Sequence, residues 1–313
     1  MNAYSLGIYE KSMPHSLTLR EKLSHAKSSG FDFLEVSIDE TDEKLSRLHW
    51  CKAERREVVN AIWDTVVPIG SMCLSGHRKY PLGSLDEAVR MKSLDIMAGA
   101  IDLACDWGIQ VIQLAGYDVY YEKGNERTRE LFLESLVKSV SMAAKSGVIL
   151  AFETMETPFM DTVEKAMIYV SEINSPYLQV YPDLGNLTNA ALAYGRYNAE
   201  ALVAGKGRDT PGRAKAATSR NTSDSAVSLN VSADMEAGRG HIAAMHLKET
   251  KPGIYRDVPY GTGHVGFLSG IKAAWRQGVR RFVGEFWDNG DYKAQIDYAH
   301  TFLRRYLDEA ANG

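Results

Sequence analysis

Helices that stop on a glycine and run straight into a β-rich segment recur along this chain, and that punctuation constrains its fold more than any other feature. It stands at Gly30-Phe-Asp-Phe, Gly108-Ile-Gln-Val, Gly147-Val-Ile-Leu and Gly278-Val-Arg-Arg-Phe. Glycine takes the left-handed conformation that ends a helix without a Cβ penalty, and the next residues begin a strand. Short apolar or β-rich runs fall at 4–8, 33–37, 69–74, 111–115, 148–153, 178–183, 243–247 and 281–285. Helix-period segments lie between them, clearest at 18–29, 52–67, 86–107, 128–146, 161–173 and 291–310. Strands alternating with helices pair in parallel, so eight such units in 313 residues predict one α/β domain, a closed (β/α)8 TIM barrel. An open doubly wound sheet is the alternative, yet no Gly-x-Gly-x-x-Gly follows the first strand to mark a dinucleotide site.

Four of the runs end on residues that bind cations. They are Val148-Ile-Leu-Ala-Phe-Glu153, Leu178-Gln-Val-Tyr-Pro-Asp183, Ala243-Ala-Met-His246 and Phe282-Val-Gly-Glu285. In a parallel barrel the C-terminal strand ends share one rim, so Glu153, Asp183, His246 and Glu285 converge there. Three carboxylates and one imidazole make an oxygen-rich site for one divalent metal. The alternative, carboxylates and a histidine merely paired with Lys or Arg, leaves three neighbouring acids repelling one another unless cations or raised pKa values offset it. A metal resolves that repulsion more simply.

Composition limits the partners. Hydrophobic residues at 45% supply one large core, and a net charge of −4 argues against nucleic acid or an anionic membrane as partner. Cys51, Cys73 and Cys105 show no zinc-type spacing and read as reduced thiols of a cytoplasmic protein. The N-terminus enters a strand-like run directly, and no stretch approaches the length of a membrane span, so neither a signal peptide nor a membrane segment is expected. One interval breaks the rhythm, between Asp183 and His241. Its middle, from Gly205 to Ser225, is small and polar and carries Lys206, Arg208, Arg213, Lys215 and Arg220. Such a composition buries little surface and reads as a solvated, mobile loop rather than an anion site.

The words at the strand ends resemble those of the L-ribulose-5-phosphate 3-epimerase family, a branch of the xylose-isomerase-like barrels. They are Leu6-Gly-Ile-Tyr-Glu-Lys11, Gly30-Phe-Asp-Phe-Leu-Glu35 with Asp39-Glu-Thr-Asp-Glu43, Ser71-Met-Cys-Leu-Ser-Gly-His-Arg78, Gln113-Leu-Ala-Gly-Tyr-Asp-Val-Tyr-Tyr121, Tyr181-Pro-Asp-Leu-Gly-Asn186 and His246-Leu-Lys-Glu-Thr-Lys-Pro-Gly253. The resemblance covers residues 4–189 and 229–306. It implies a metal-dependent isomerase that interconverts L-xylulose 5-phosphate and L-ribulose 5-phosphate in pentose or L-ascorbate catabolism, and its implied metal ligands fall on Glu153, Asp183, His246 and Glu285. The ion expected there is Mn, Mg, Co or Zn, the partner a sugar phosphate, and a homodimer is compatible with this reading. The chain departs from the family pattern in an insertion around 190–228, expected to be disordered, in Glu249 where Asp is usual, and in His264 and Gly266 within Gly261-Thr-Gly-His-Val-Gly266.

Epimerisation beside a ketone needs the C3 proton removed, the enediolate held and a proton returned to the other face. A divalent cation acidifies that hydrogen, and Glu153 and Glu285 then act as the two catalytic groups across C3. Lys248 shares the inward parity of His246 and either holds a substrate hydroxyl or the phosphate, or pairs with a neighbouring carboxylate. The glycines Gly261 and Gly263 follow strand 7, where barrels often bind phosphate through backbone N–H groups, although the pair also suits a plain turn. His77 either lines the pocket or is an ordinary surface histidine. Glu35 either orients bound water or substrate or makes a structural hydrogen bond, and Asn186 either reaches the pocket rim or shapes its turn. Competing functions are another sugar or free-ketose isomerase on the same barrel, a barrel disabled by the insertion, and an apurinic endonuclease. The last needs a multi-zinc cluster with several histidines, and few of the eight here stand at strand ends.

Overall fold

A computed structural model of the chain describes residues 3–204 and 223–313, with the side chains of 196–204 and 223–229 left aside. Eight parallel strands follow one another: β1 Ser5–Tyr9, β2 Phe33–Ile38, β3 Ile69–Leu74, β4 Val111–Ala115, β5 Ile149–Glu153, β6 Leu178–Tyr181, β7 Met245–Leu247 and β8 Arg281–Gly284. Their order in the sheet is β6-β5-β4-β3-β2-β1-β8-β7. Parallel bridges Val180–Ile242 and Asp183–His246 join the last two edges and close the ring. The helices α1 Leu19–Ser28, α2 Asp42–Ser46, α3 Lys52–Thr65, α4 Glu87–Trp107, α5 Glu126–Ser146, α6 Val163–Ile173, α7 Leu184–Ala204, α8 Ser223–Ala237, α9 Phe267–Arg276 and α10 Tyr292–Asn312 fill the intervals. The expected barrel is the fold observed, and all four punctuating glycines have positive φ, from +70° at Gly147 to +86° at Gly278.

Strand alternation sorts the side chains into two cores. Leu34, Val36, Leu150, Phe152, Met245, Leu247 and Phe282 point outward and pack beneath the helices. Tyr9, Phe33, Cys73, Val111, Ala151, Tyr181, Ala244 and Val283 fill the barrel interior, one from or beside each strand. Phe33 plugs the bottom of that interior because its neighbours lack side chains. A Cβ on Gly7 or Gly70 would lie 2.3 or 2.5 Å from the Phe33 ring. Two residues beyond these interior positions, the same parity brings Glu35, Gln113, Glu153, Asp183, His246 and Glu285 to the upper rim.

The interval between β6 and β7 differs from expectation. Its described parts are helical: α7 runs from Leu184 through Ala204, and α8 resumes at Ser223. Leu187 and Ala191 near the start of α7, with Val231 and Met235 near the end of α8, join the outer core. Both flanks of the expected insertion therefore extend helices that pack on the barrel. The basic stretch with Lys206, Arg208, Arg213, Lys215 and Arg220 lies outside the described residues. Helix α9, with Phe267, Ile271 and Ala274 on its buried side, was also absent from the sequence-based set. No helix among the described residues is long and apolar enough to cross a membrane.

Candidate metal centre

Glu153 ends β5, Glu285 follows β8, His246 sits in β7, and Asp183 stands between β6 and α7. The four residues are buried together, and one ligand atom from each lies within 4.8 Å of the others. His246 Nδ1 faces Glu285 Oε2 at 3.2 Å, Glu153 Oε1 at 3.5 Å and Asp183 Oδ2 at 3.9 Å. Asp183 serves two ends at once. Its Oδ1 accepts the backbone N–H of Asn186 at 2.6 Å, capping the start of α7, which leaves Oδ2 directed into the cluster. Lys248 Nζ lies 3.2 Å from both Asp183 Oδ2 and Glu285 Oε2. The two carboxylate oxygens are buried and accept no hydrogen bond.

Two buried carboxylate oxygens without donors, facing an imidazole nitrogen, are what a cation site leaves when its ion is subtracted. The donor set agrees, since ligands on opposite sides of one ion with bonds of about 2.0–2.6 Å stand about 4–5 Å apart. The residues therefore fit a single divalent cation. In the protein alone, the charges adapt to their crowding. Burial raises the pKa of Asp183, and the nearby Glu285 and Glu153 raise it further against the pull of Lys248. Glu153 is also raised, by burial first. Burial works against charge on His246, but Glu35, Glu285 and Glu153 overcome it and hold its pKa well above the ordinary value. Burial likewise opposes ionisation of Glu285, yet Lys248 and His246 keep its carboxyl well below the usual range. A cation held by these four residues would displace the His246 proton and ionise Asp183 and Glu153, so its binding would release protons.

Beneath the cluster, His246 Nε2 meets Glu35 Oε1 at 2.6 Å. The other Glu35 oxygen accepts from Ser71 Oγ at 2.6 Å and from the Tyr181 hydroxyl at 2.8 Å. Glu35 is fully buried and has no access to a substrate. Of its two expected roles it takes the structural one, holding the histidine so that Nδ1 faces the acids. The Gln113 amide nitrogen lies 3.2 Å from both ring nitrogens of His246, against the face of the ring. Ser71, Gln113 and Tyr181 were missed in the sequence, although polar residues at inward positions of barrel strands were a signal that would have found them.

Three further expectations need correction. His77 is buried and its Nε2 pairs with the Ser93 carbonyl at 3.1 Å, so it anchors α4 instead of lining the pocket. Asn186 donates its side-chain amide to the Thr154 carbonyl at 2.7 Å and shapes the turn after Asp183. The 261–263 loop does not offer its N–H groups to a phosphate. Gly261 N–H donates to Glu249 Oε2 at 2.9 Å, and Val265 N–H to Glu249 Oε1 at 3.2 Å. Lys248, by contrast, does face the cluster. Beside it a cleft of about 90 Å³ opens between Tyr260, Glu285, Trp287 and Asn289. Trp287 packs edge-on to Tyr9, with their centroids 6.3 Å apart.

The pattern of a family described as xylose isomerase-like TIM barrel matches residues 23–306. L-ribulose-5-phosphate 3-epimerase UlaE of Escherichia coli O139:H28 is 45% identical over 308 residues, covering 97% of this chain and 95% of its own. The chain belongs to the xylose isomerase-like TIM barrels. Within that family, UlaE of Escherichia coli K12 shows the same identity and coverage. Among solved structures, that of an L-ribulose 3-epimerase superposes with a TM-score of 0.70 at 16% identity, covering 99% of this chain and 96% of its own. A D-tagatose 3-epimerase-like protein reaches 0.72 at 14% identity, with 98% of each chain covered. At such identities the two superpositions speak for the fold.

Proposed function

We propose that this chain is a metal-dependent sugar-phosphate epimerase that interconverts L-xylulose 5-phosphate and L-ribulose 5-phosphate. The 45% identity to UlaE across 97% of the chain supports the substrate. The observation that carries the chemistry is the placement of Glu153 and Glu285 about one imidazole, 3.5 and 3.2 Å from His246 Nδ1 on non-adjacent strands. A divalent cation held by Glu153, Asp183, His246 and Glu285 supplies charge that acidifies the C3 hydrogen and balances the enediolate oxygens.

The protein's own groups do the rest. Glu153 and Glu285 each have a second carboxylate oxygen beyond the one that points at the cluster, so each can hold or release a proton at C3. One takes the proton from its face of the carbon, and the other returns one to the opposite face. In the reverse direction the two exchange roles. Asp183 and His246 act as ligands only. The Lys248 ammonium, whose charge Asp183 and Glu285 hold against burial, stabilises negative charge as it grows on the substrate. Trp287 lines the cleft, backed by Tyr9, and shields the carbanion from water. The test is a coupled assay on L-xylulose 5-phosphate with protein stripped of metal and resupplied with Mn, Mg, Co or Zn. Activity that returns with one equivalent of ion, and is lost for the unphosphorylated sugar, agrees with the proposal. Full turnover after stripping contradicts the metal's role, and equal turnover of free L-xylulose contradicts the substrate.

A further inference from the structure

The residue after Lys248 stands in an unusual setting. Glu249 is buried, and its carboxylate is ringed by the backbone of the segment that follows it. Oε1 accepts from Thr250 N–H and Val265 N–H at 3.2 Å each, and Oε2 accepts from Gly261 N–H at 2.9 Å. The Gly263 N–H also lowers the pKa of the carboxyl, although burial raises it on balance. Both glycines of the loop are explained by this carboxylate. Gly261 has φ of +80°, a conformation that turns its N–H inward, and a Cβ on Gly263 would lie 2.3 Å from Glu249 Oε1 and 2.1 Å from the Thr250 carbonyl. Successive N–H groups converging on one point form an anion nest, the device by which many loops hold phosphate. Here the anion is part of the chain.

The same loop walls the active-site cleft. Tyr260, next to Gly261, donates its hydroxyl to the Leu247 carbonyl at 2.5 Å, and its ring packs on Phe286, 5.6 Å between centroids. Leu247 and Phe286 are the immediate neighbours of Lys248 and Glu285. Arg256, further along the loop, lies 5.4 Å from the Trp287 ring centre. Holding this loop therefore fixes the strand ends that carry Lys248 and Glu285.

We propose that Glu249 is a positioning residue: its carboxylate is the resident anion of the nest, it orders the 250–265 loop against the ends of β7 and β8, and it closes that nest to the phosphate of the substrate. Lost carboxylate means an empty nest of the same shape, open to small anions from solution. Glu249→Ala excises the equivalent of one acetate. In the full-length E249A protein, amide hydrogen exchange at Gly261 and Val265 should rise about tenfold or more, because hydrogen bonds to an ionised acceptor are among the stronger ones. Sodium acetate in the tens of millimolar, or inorganic phosphate, should restore protection in E249A and leave the wild type unchanged. KM for the sugar phosphate should rise several-fold while kcat changes less, and acetate should lower KM again. Should E249A fold poorly, E249Q provides the second reading: its carbonyl replaces only one oxygen, so exchange should rise at Gly261 or at Val265 but not at both. Unchanged exchange in E249A and in E249Q overturns the proposal, as does lost protection that neither acetate nor phosphate restores. The exchange readout needs no turnover, so its outcome stands apart from that of the epimerase assay.

Discussion

Substituting Glu35 with glutamine isolates the support beneath the metal centre. In the native site one Glu35 oxygen lies 2.6 Å from His246 Nε2, and the other accepts from Ser71 and Tyr181. A glutamine side chain keeps the shape. Its carbonyl can still accept from Nε2–H, and the Ser71 and Tyr181 hydroxyls can turn to accept from its amide. What is lost is charge. A hydrogen bond to an ionised partner contributes about 1.5–3 kcal/mol against about 1 kcal/mol for a neutral one, so the histidine becomes a poorer donor by about 0.5–2 kcal/mol. That corresponds to about twofold to thirtyfold in metal affinity, its upper part overlapping the roughly tenfold to hundredfold usual for groups that support a metal-bound histidine. Competition titration against a chelator at alkaline pH measures it. Those conditions remove the proton that the surrounding acids hold on His246. Glu35→Ala should cost more, because Ser71 and Tyr181 then lose their acceptor inside the barrel. An affinity for Zn or Mn unchanged within twofold in both variants would refute the assigned role of Glu35.

Two further predictions concern stability. Glu10 is fully buried among Lys22, Lys44 and Arg47, the last bidentate at 2.8 Å, and against the cost of burial these cations hold its carboxyl well below the usual range. Glu10→Gln leaves three buried cations without their counter-charge and should cost about 3–5 kcal/mol in urea unfolding. His77 is neutral because burial lowers its pKa to about 4, from an unfolded value of 6.5. Its stabilising contribution is complete above pH 6.5 and lost as pH falls toward 4. The interval between those two values amounts to about 3 kcal/mol. His77→Gln should flatten the acid limb of the stability curve by that amount, and an acid limb identical to wild type would contradict it.

The barrel was legible because its determinants are local. A glycine ends a helix by its own φ, and the alternation of Ile149–Glu153 assigns Glu153 inward without reference to any other strand. The convergence of Glu153, Asp183, His246 and Glu285 was legible for the same reason, since each stands at the same end of a run with the same parity. Pairing across the barrel was not. Parity placed Glu35 inward, but that it meets His246 depends on a contact between residues 211 positions apart. Likewise, the sequence offered Gly261 and Gly263 to a substrate phosphate or to a plain turn, and could not show that the Gly261 N–H is taken by a carboxylate twelve positions earlier. Around 190–204 the small, polar neighbours beyond Gly205 obscured a helix whose Leu187 and Ala191 carry an ordinary apolar face.

Solvent exchange at C3 tests the central claim, that Glu153 and Glu285 move a proton on opposite faces of one carbon. The wild type in D2O should place deuterium at C3 of the epimerised product. Glu153→Gln and Glu285→Gln, with bound metal verified by elemental analysis, should each lose about 10²–10⁴ in turnover. Each should still exchange C3 hydrogen of a single epimer, and the two variants should differ in which one. Exchange of the same epimer by both, or epimerisation by the wild type without deuterium at C3, would contradict the account.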